Sequence, residues 1–250
     1  MRLAGLVEYD GADFSGWAAQ PGRRTVEDTL SVALATVLRH PVKLQVAGRT
    51  DAGVHASGQV VSFSAETDLP PGDIAYRATA VMPKDLALRR CMQVPESFDA
   101  RRQAVSRAYE YRVLNSSIRS PLVRERTVYI ARALDEPILQ EAAEMIRGEH
   151  DFRAFTPSRP DHSYFTRKVS QSRWQRENEQ IVYRITADSF LYGMVRTLVG
   201  TMIEISDGKR SLDNLARLLA AEDSRRSAAG HSAPAHGLTL VRVGYEGLEL

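Results

Sequence analysis

Hydrophobic positions along the chain switch between the period of a strand and the period of a helix, and the switches define an order of elements. Residues 2–9 (RLAGLVEY) read as an opening strand. The segment 10–24 (DGADFSGWAAQPGRR) holds four Gly and Pro breaks and reads as a loop. A helix is predicted from Thr25 to Arg39. Thr25 and Asp28 form a capping-box-like start, and Val26, Leu30, Ala33, Leu34 and Val37 make one apolar stripe. Strands follow at 43–48 and 58–64, a helix near 73–81 after Pro70-Pro71-Gly72, and a strand at 86–94.

The order β-α-β-β-α-β then recurs. Residues 107–114 (RAYEYRVL) alternate as a strand, and a helix fits 135–147. Residues 166–176 and 179–188 suit a hairpin turning at Glu177-Asn178. A helix from Phe190 to Ile205 would carry Phe190, Met194, Leu198 and Met202 on one face, before a short helix near 211–220 and a last strand at 238–245. The segments 156–165 and 224–237 read as loops. The expected fold is therefore α+β: two ferredoxin-like (βαββαβ) units with mainly antiparallel sheets, residues 1–103 and 104–250, and an active-site cleft between them.

Composition narrows this picture. The chain has 250 residues, 43% hydrophobic and 26% charged, an ordinary globular balance. A single cysteine, Cys91, excludes an internal disulfide framework and reads as a small buried hydrophobe. Glu8 and Asp10 interrupt the N-terminal apolar run, so no signal peptide is expected there. No segment approaches the roughly 18 apolar residues a membrane span needs. A cytoplasmic location is expected.

The net charge is only +2, but 29 of the 33 basic residues are Arg. Residues 101–132 carry eight Arg against Glu110 and Glu125, whereas the first hundred residues hold ten basic and twelve acidic groups. Such a belt suits either a polyanionic partner or a solvated polar face.

The stretch 47–63 (AGRTDAGVHASGQVVSF) carries the candidate chemistry. If the strand before it persists to Asp51, the period of two puts Arg49 and Asp51 on one side. An adjacent Arg favours an ionised carboxylate, a group able to act as nucleophile or general base. Gly48 and Gly53 would let another molecule approach the backbone. The alternative is an Asp-Ala-Gly turn closed by a surface ion pair. Asp51, His55 and Ser57 include the residue types of a hydrolase triad, but one short loop would struggle to converge them. The six histidines are scattered, without the clustering of a metal site, and no phosphate-binding glycine motif is present.

The run GRTDAGVHASGQV resembles the signature of the tRNA pseudouridine synthase A family. So do Glu8-Tyr9-Asp10-Gly11 with Phe14, Gly16 and Trp17, then Thr25-Val26-Glu27, Arg107-Ala108-Tyr109-Glu110-Tyr111, and Asp151-Phe152 with Phe155. Phe190-Leu191, Met194-Val195-Arg196, Val199-Gly200 and Ala233-Pro234-Ala235 complete the resemblance, which runs in order over nearly the whole chain. Ala18 stands where the family usually has Gln.

The resemblance implies isomerisation of uridine to pseudouridine in the anticodon stem-loop of tRNA, at tRNA positions 38–40, with no cofactor and no metal. It implies Asp51 as the essential carboxylate, Tyr109 against the flipped base, Arg196 as the partner of Asp51, and Arg49 supporting the loop or contacting phosphates. It also implies a homodimer. Trp17 is left as either a loop's surface anchor or a motif residue.

Overall fold

The computed structural model describes residues 1–157 and 164–249. The chain is α+β, with ten strands and five α-helices among the described residues. It divides into two compact units, one of Met1–Arg107 with Thr239–Leu250 and one of Ala108–Leu238.

The first unit begins β1 (Arg2–Tyr9), α1 (Val26–Leu38), β2 (Gln45–Val46), β3 (His55–Ser64), α2 (Pro71–Val81), β4 (Leu86–Gln93). The second contains most of β5 (Ala104–Leu114), then β6 (Val128–Tyr129), α3 (Glu136–Ile146), β7 (Gly148–Asp151), β8 (Thr166–Glu177), β9 (Gln180–Ala187), α4 (Met194–Ser206) and α5 (Leu212–Leu219). The chain closes with β10 (Leu238–Tyr245).

In the first unit the strand order is β4-β1-β3-β10, with β2 also on β3. β1 is antiparallel to both β3 and β4, and its residues are buried almost throughout, as a central strand requires. α1 starts at Thr25, whose hydroxyl accepts the Asp28 amide, a cap of about 1 kcal/mol. Its buried stripe is Val26, Leu30, Ala33, Leu34 and Leu38 rather than ending at Val37, which is only half-buried.

The expected last strand of the second half belongs with the first unit instead. β10 runs parallel to β3, Thr239 opposite His55 and Leu240 opposite Ala56. The absence of a side chain at Gly58 permits this: a Cβ there would lie 2.1 Å from the Val241 carbonyl oxygen. The Tyr245 hydroxyl then donates to the Ala100 carbonyl at 2.7 Å.

In the second unit the order is β5-β9-β8-β7, with the two-residue β6 parallel to β5. β8 and β9 form the expected hairpin, with Asn178 at φ 57°, a left-handed turn position that Asn tolerates. Trp174 and Tyr183 pair across it, ring centroids 5.0 Å apart, and the Trp174 indole N–H points at Met202 Sδ of α4, 3.3 Å away.

α4 begins at Met194, four residues later than expected. Gly193 has φ 68°, a conformation that no regular helix accommodates, so Phe190 precedes the helix and does not share its face. Of the expected loop 156–165, residues 158–163 lie outside the described residues. The loop 224–237 contains two one-turn helices, Arg226–Ala228 and Ala235–Gly237.

Candidate active site

The first unit holds Arg49 and Asp51 in a loop, not on a strand, because β2 ends at Val46. Side chains remote in sequence take the carbonyls that would continue the ladder. Arg107 donates from Nε and Nη2 to the Ala47 carbonyl, and Gln59 Nε2 donates to the Gly48 carbonyl at 2.7 Å. The backbone then turns at Asp51, whose carbonyl accepts the Val54 amide at 3.2 Å. Gly53 takes φ 77° in this turn, which explains that glycine. Gly48 has open space where a Cβ would stand.

Thr50 is buried between an exposed Arg49 and a half-buried Asp51, so one inward side chain separates the two charged ones. The Thr50 hydroxyl lies 2.7 Å from the Tyr9 hydroxyl, which also accepts from Gln59 Nε2 at 3.4 Å. Burial pushes the Tyr9 phenol up to about 12, against the bonds to Thr50 and Gln59, so it stays neutral. Tyr9 in turn packs against Trp17 and Phe14, at 6.1 and 6.4 Å between centroids. Trp17 is fully buried, which resolves its reading: it is core beneath the loop, and its amide donates to the Thr50 carbonyl at 3.0 Å.

Two glycines of the preceding loop fit against the same turn. A Cβ on Gly16, at φ 92°, would stand 3.0 Å from the Thr50 carbonyl oxygen and 3.1 Å from the Ala52 amide. One on Gly11 would overlap the Val54 carbonyl at 2.1 Å. His55 is buried and its Nδ1 lies 3.0 Å from the Gly11 amide, so it pins this loop to β3. Ser57 is exposed on the same strand.

The second unit holds Tyr109 and Arg196. Tyr109 is buried on β5, its ring edge-to-face with Phe190 at 5.2 Å. Arg196 lies in the first turn of α4, its Nε donating to the Ala233 carbonyl at 2.8 Å. The Ala233 amide returns a bond of 2.9 Å to the Arg196 carbonyl. Nearby, the Tyr111 hydroxyl donates to the Pro234 carbonyl at 2.9 Å. Burial pushes that phenol well up, and the Arg196 charge opposes the shift.

Pattern reading at the level of single residues missed Thr50, Gln59 and Arg107 as supports of the loop. Gln59 was the available signal, a polar residue inside the apolar run of β3. Arg107 falls within the basic belt, but it is buried and grips backbone carbonyls of Ala47, Ala104 and Arg101. Other members of the belt are paired. Arg112 bonds Glu110 and Glu177, which both also bind Arg184; Arg124 pairs with Glu125 and Arg132 with Asp207. The belt is therefore not one continuous unpaired cationic face.

Among the described residues no three His, Cys, Asp or Glu side chains cluster as a metal site, and no helix is long and apolar enough to cross a membrane.

A family model described as tRNA pseudouridine synthase matches residues 6–101 and 142–246. Curated relatives align with this chain over nearly its full length. The tRNA pseudouridine synthase A of Acetivibrio thermocellus is 36% identical over 240 residues, covering 96% of this chain and 98% of the relative. That of Geotalea uraniireducens is 38% identical with the same coverage. That of Gloeobacter violaceus is 40% identical over 245 residues, 98% of this chain and 80% of the relative. The chain belongs to the tRNA pseudouridine synthase family, a family of isomerases.

Proposed function

We propose that this synthase converts uridine to pseudouridine in the anticodon stem-loop of tRNA, at tRNA positions 38–40, with Asp51 as its essential carboxylate. The reaction breaks the C1′–N1 bond and joins C1′ to C5 of the same base. N1 gains a proton and C5 loses one, so atoms and oxidation state balance without a cofactor. Tyr109 packs against the flipped base, and Arg49 and Arg196 bind the substrate. Lifting the uridine from its stack costs roughly a few kcal/mol, which phosphate contacts from arginines offset. The active species is a homodimer in the cytoplasm.

The observation that carries this reading is the anchoring of Thr50 to Tyr9 beside Asp51. It fixes the backbone of one carboxylate at a turn bordered by open space at Gly48. A preorganised group of this kind needs no rearrangement to meet a substrate. The β-α-β-β-α-β order and the β4-β1-β3-β2 adjacency of the first unit support a ferredoxin-like reading of it.

The test is pseudouridine mapping at single-nucleotide resolution in an unmodified tRNA transcript, with no cofactor or metal added. Product at positions 38–40 is expected. Product confined to another part of the tRNA would remove the anticodon assignment, and binding without any product would point to a non-catalytic RNA-binding protein.

A further inference from the structure

We propose that residues 229–234 form a strap that positions Arg196, and that Gly200 and Thr201 set the register of this strap along α4. The proposal rests on the reading of Arg196 as a substrate-binding residue.

Positions 196, 200 and 204 lie one turn apart on one face of α4, with 197 and 201 beside them. The strap runs antiparallel along that face, and each of its residues 230 to 233 is bonded to α4. The Gly230 amide donates to Thr201 Oγ1 at 2.9 Å. The His231 amide donates to Glu204 Oε1 at 3.0 Å. Ser232 Oγ lies 3.2 Å from Thr197 Oγ1. Ala233 then makes the reciprocal pair with Arg196 described above.

Two glycines allow the strap to lie backbone against backbone. A Cβ at Gly200 would stand 1.7 Å from the His231 carbonyl oxygen, and one at Gly230 would stand 2.7 Å from Thr201 Cα. Neither position can carry a side chain unless the strap lifts.

The consequence is directional. Ala233 presents its carbonyl to Nε of Arg196, and one bond at Nε orients a planar guanidinium. The carbonyl is placed by the strap's register, and the register is fixed one to two turns further along the helix. Gly200 and Thr201 are therefore positioning residues that act through Arg196, although they lie beyond it on α4.

The test measures single-turnover pseudouridine formation and tRNA affinity in the full chain, for Arg196→Ala, Gly200→Ala, Thr201→Val, Thr201→Ser and the pair Gly200→Ala/Arg196→Ala. Gly200→Ala is expected to slow the reaction by about tenfold to a hundredfold, the scale of a misplaced group. The double variant is expected to be no slower than Arg196→Ala alone, because both changes remove one function. Thr201→Ser keeps the hydroxyl and is expected to retain the rate that Thr201→Val loses. Should Gly200→Ala fail to fold, Thr201→Val with and without Arg196→Ala carries the same comparison. Losses that multiply in the double variant overturn the strap while leaving Arg196 its role. So does a lowered melting temperature with an unchanged rate. A wild-type rate for Arg196→Ala overturns the reading of Arg196 and the strap with it.

Discussion

The hydroxyl oxygens of Tyr9 and Thr50 lie 2.7 Å apart in the interior of the first unit, and this contact ties strand β1 to the loop that carries Asp51. Tyr9→Phe leaves Thr50 Oγ1 and Gln59 Nε2 each short of a partner. The expected loss is about 1–3 kcal/mol, the cost of stranding buried polar groups. Urea unfolding gives the stability. The rate of pseudouridine formation is expected to fall as well, since the loop loses its inward anchor. A full rate at reduced stability would show that the anchor supports the fold alone.

Gly16 lies beneath the same turn, at φ 92°. Gly16→Ala adds backbone strain of about 1–3 kcal/mol. It also forces a Cβ against the Thr50 carbonyl and the Ala52 amide. Lower melting temperature and slower turnover are both expected. Gly22→Ala is the control, since Gly22 also has positive φ but nothing within 4 Å. It should cost stability without slowing the reaction.

Arg107 is buried and donates to the carbonyls of Ala47, Ala104 and Arg101. Arg107→Leu strands those acceptors, and a loss of about 2–5 kcal/mol is expected from several unmade charged hydrogen bonds. Arg107→Lys is expected to recover only part, because an ammonium cannot reproduce the planar fork. Chemical denaturation of the two variants checks the order.

Glu204 on α4 carries a pH signature. Burial pushes its carboxyl up, but bonds from the His231 amide, Arg210 and the His231 ring outweigh burial and hold it at about 2, with Arg226 also facing it. Its folded value is depressed, so its contribution to stability is present above the ordinary Glu range. It is lost as pH falls from about 4.5 towards 2. Stability curves at several pH values are expected to show wild type losing about 1–3 kcal/mol across that window relative to Glu204→Gln. Parallel curves for the two proteins would contradict the assignment.

Local signals made much of the fold legible. The Thr25 cap and the stripe through Leu30 and Leu34 located α1, and alternation located β5 and the β8–β9 hairpin. Most of what failed depended on partners outside the local pattern. The strand before Asp51 was drawn too long because Arg107 and Gln59 withdraw the Ala47 and Gly48 carbonyls from the ladder, and no local period reports that. The start of α4 was set too early because the left-handed Gly193 is not visible as such in a helical pattern. β10 joins the first unit through Gly58, far away in sequence. The motif around Asp51 was legible as residues, but its inward support from Tyr9 became visible only in the fold.

The central claim is that Asp51 performs the chemistry, and the direct measurement is pseudouridine formation by Asp51→Asn beside wild type on one unmodified tRNA transcript, with tRNA affinity measured in parallel. The change is nearly isosteric and removes the charge, so the account predicts no product with affinity largely retained. Wild-type turnover by Asp51→Asn would contradict it.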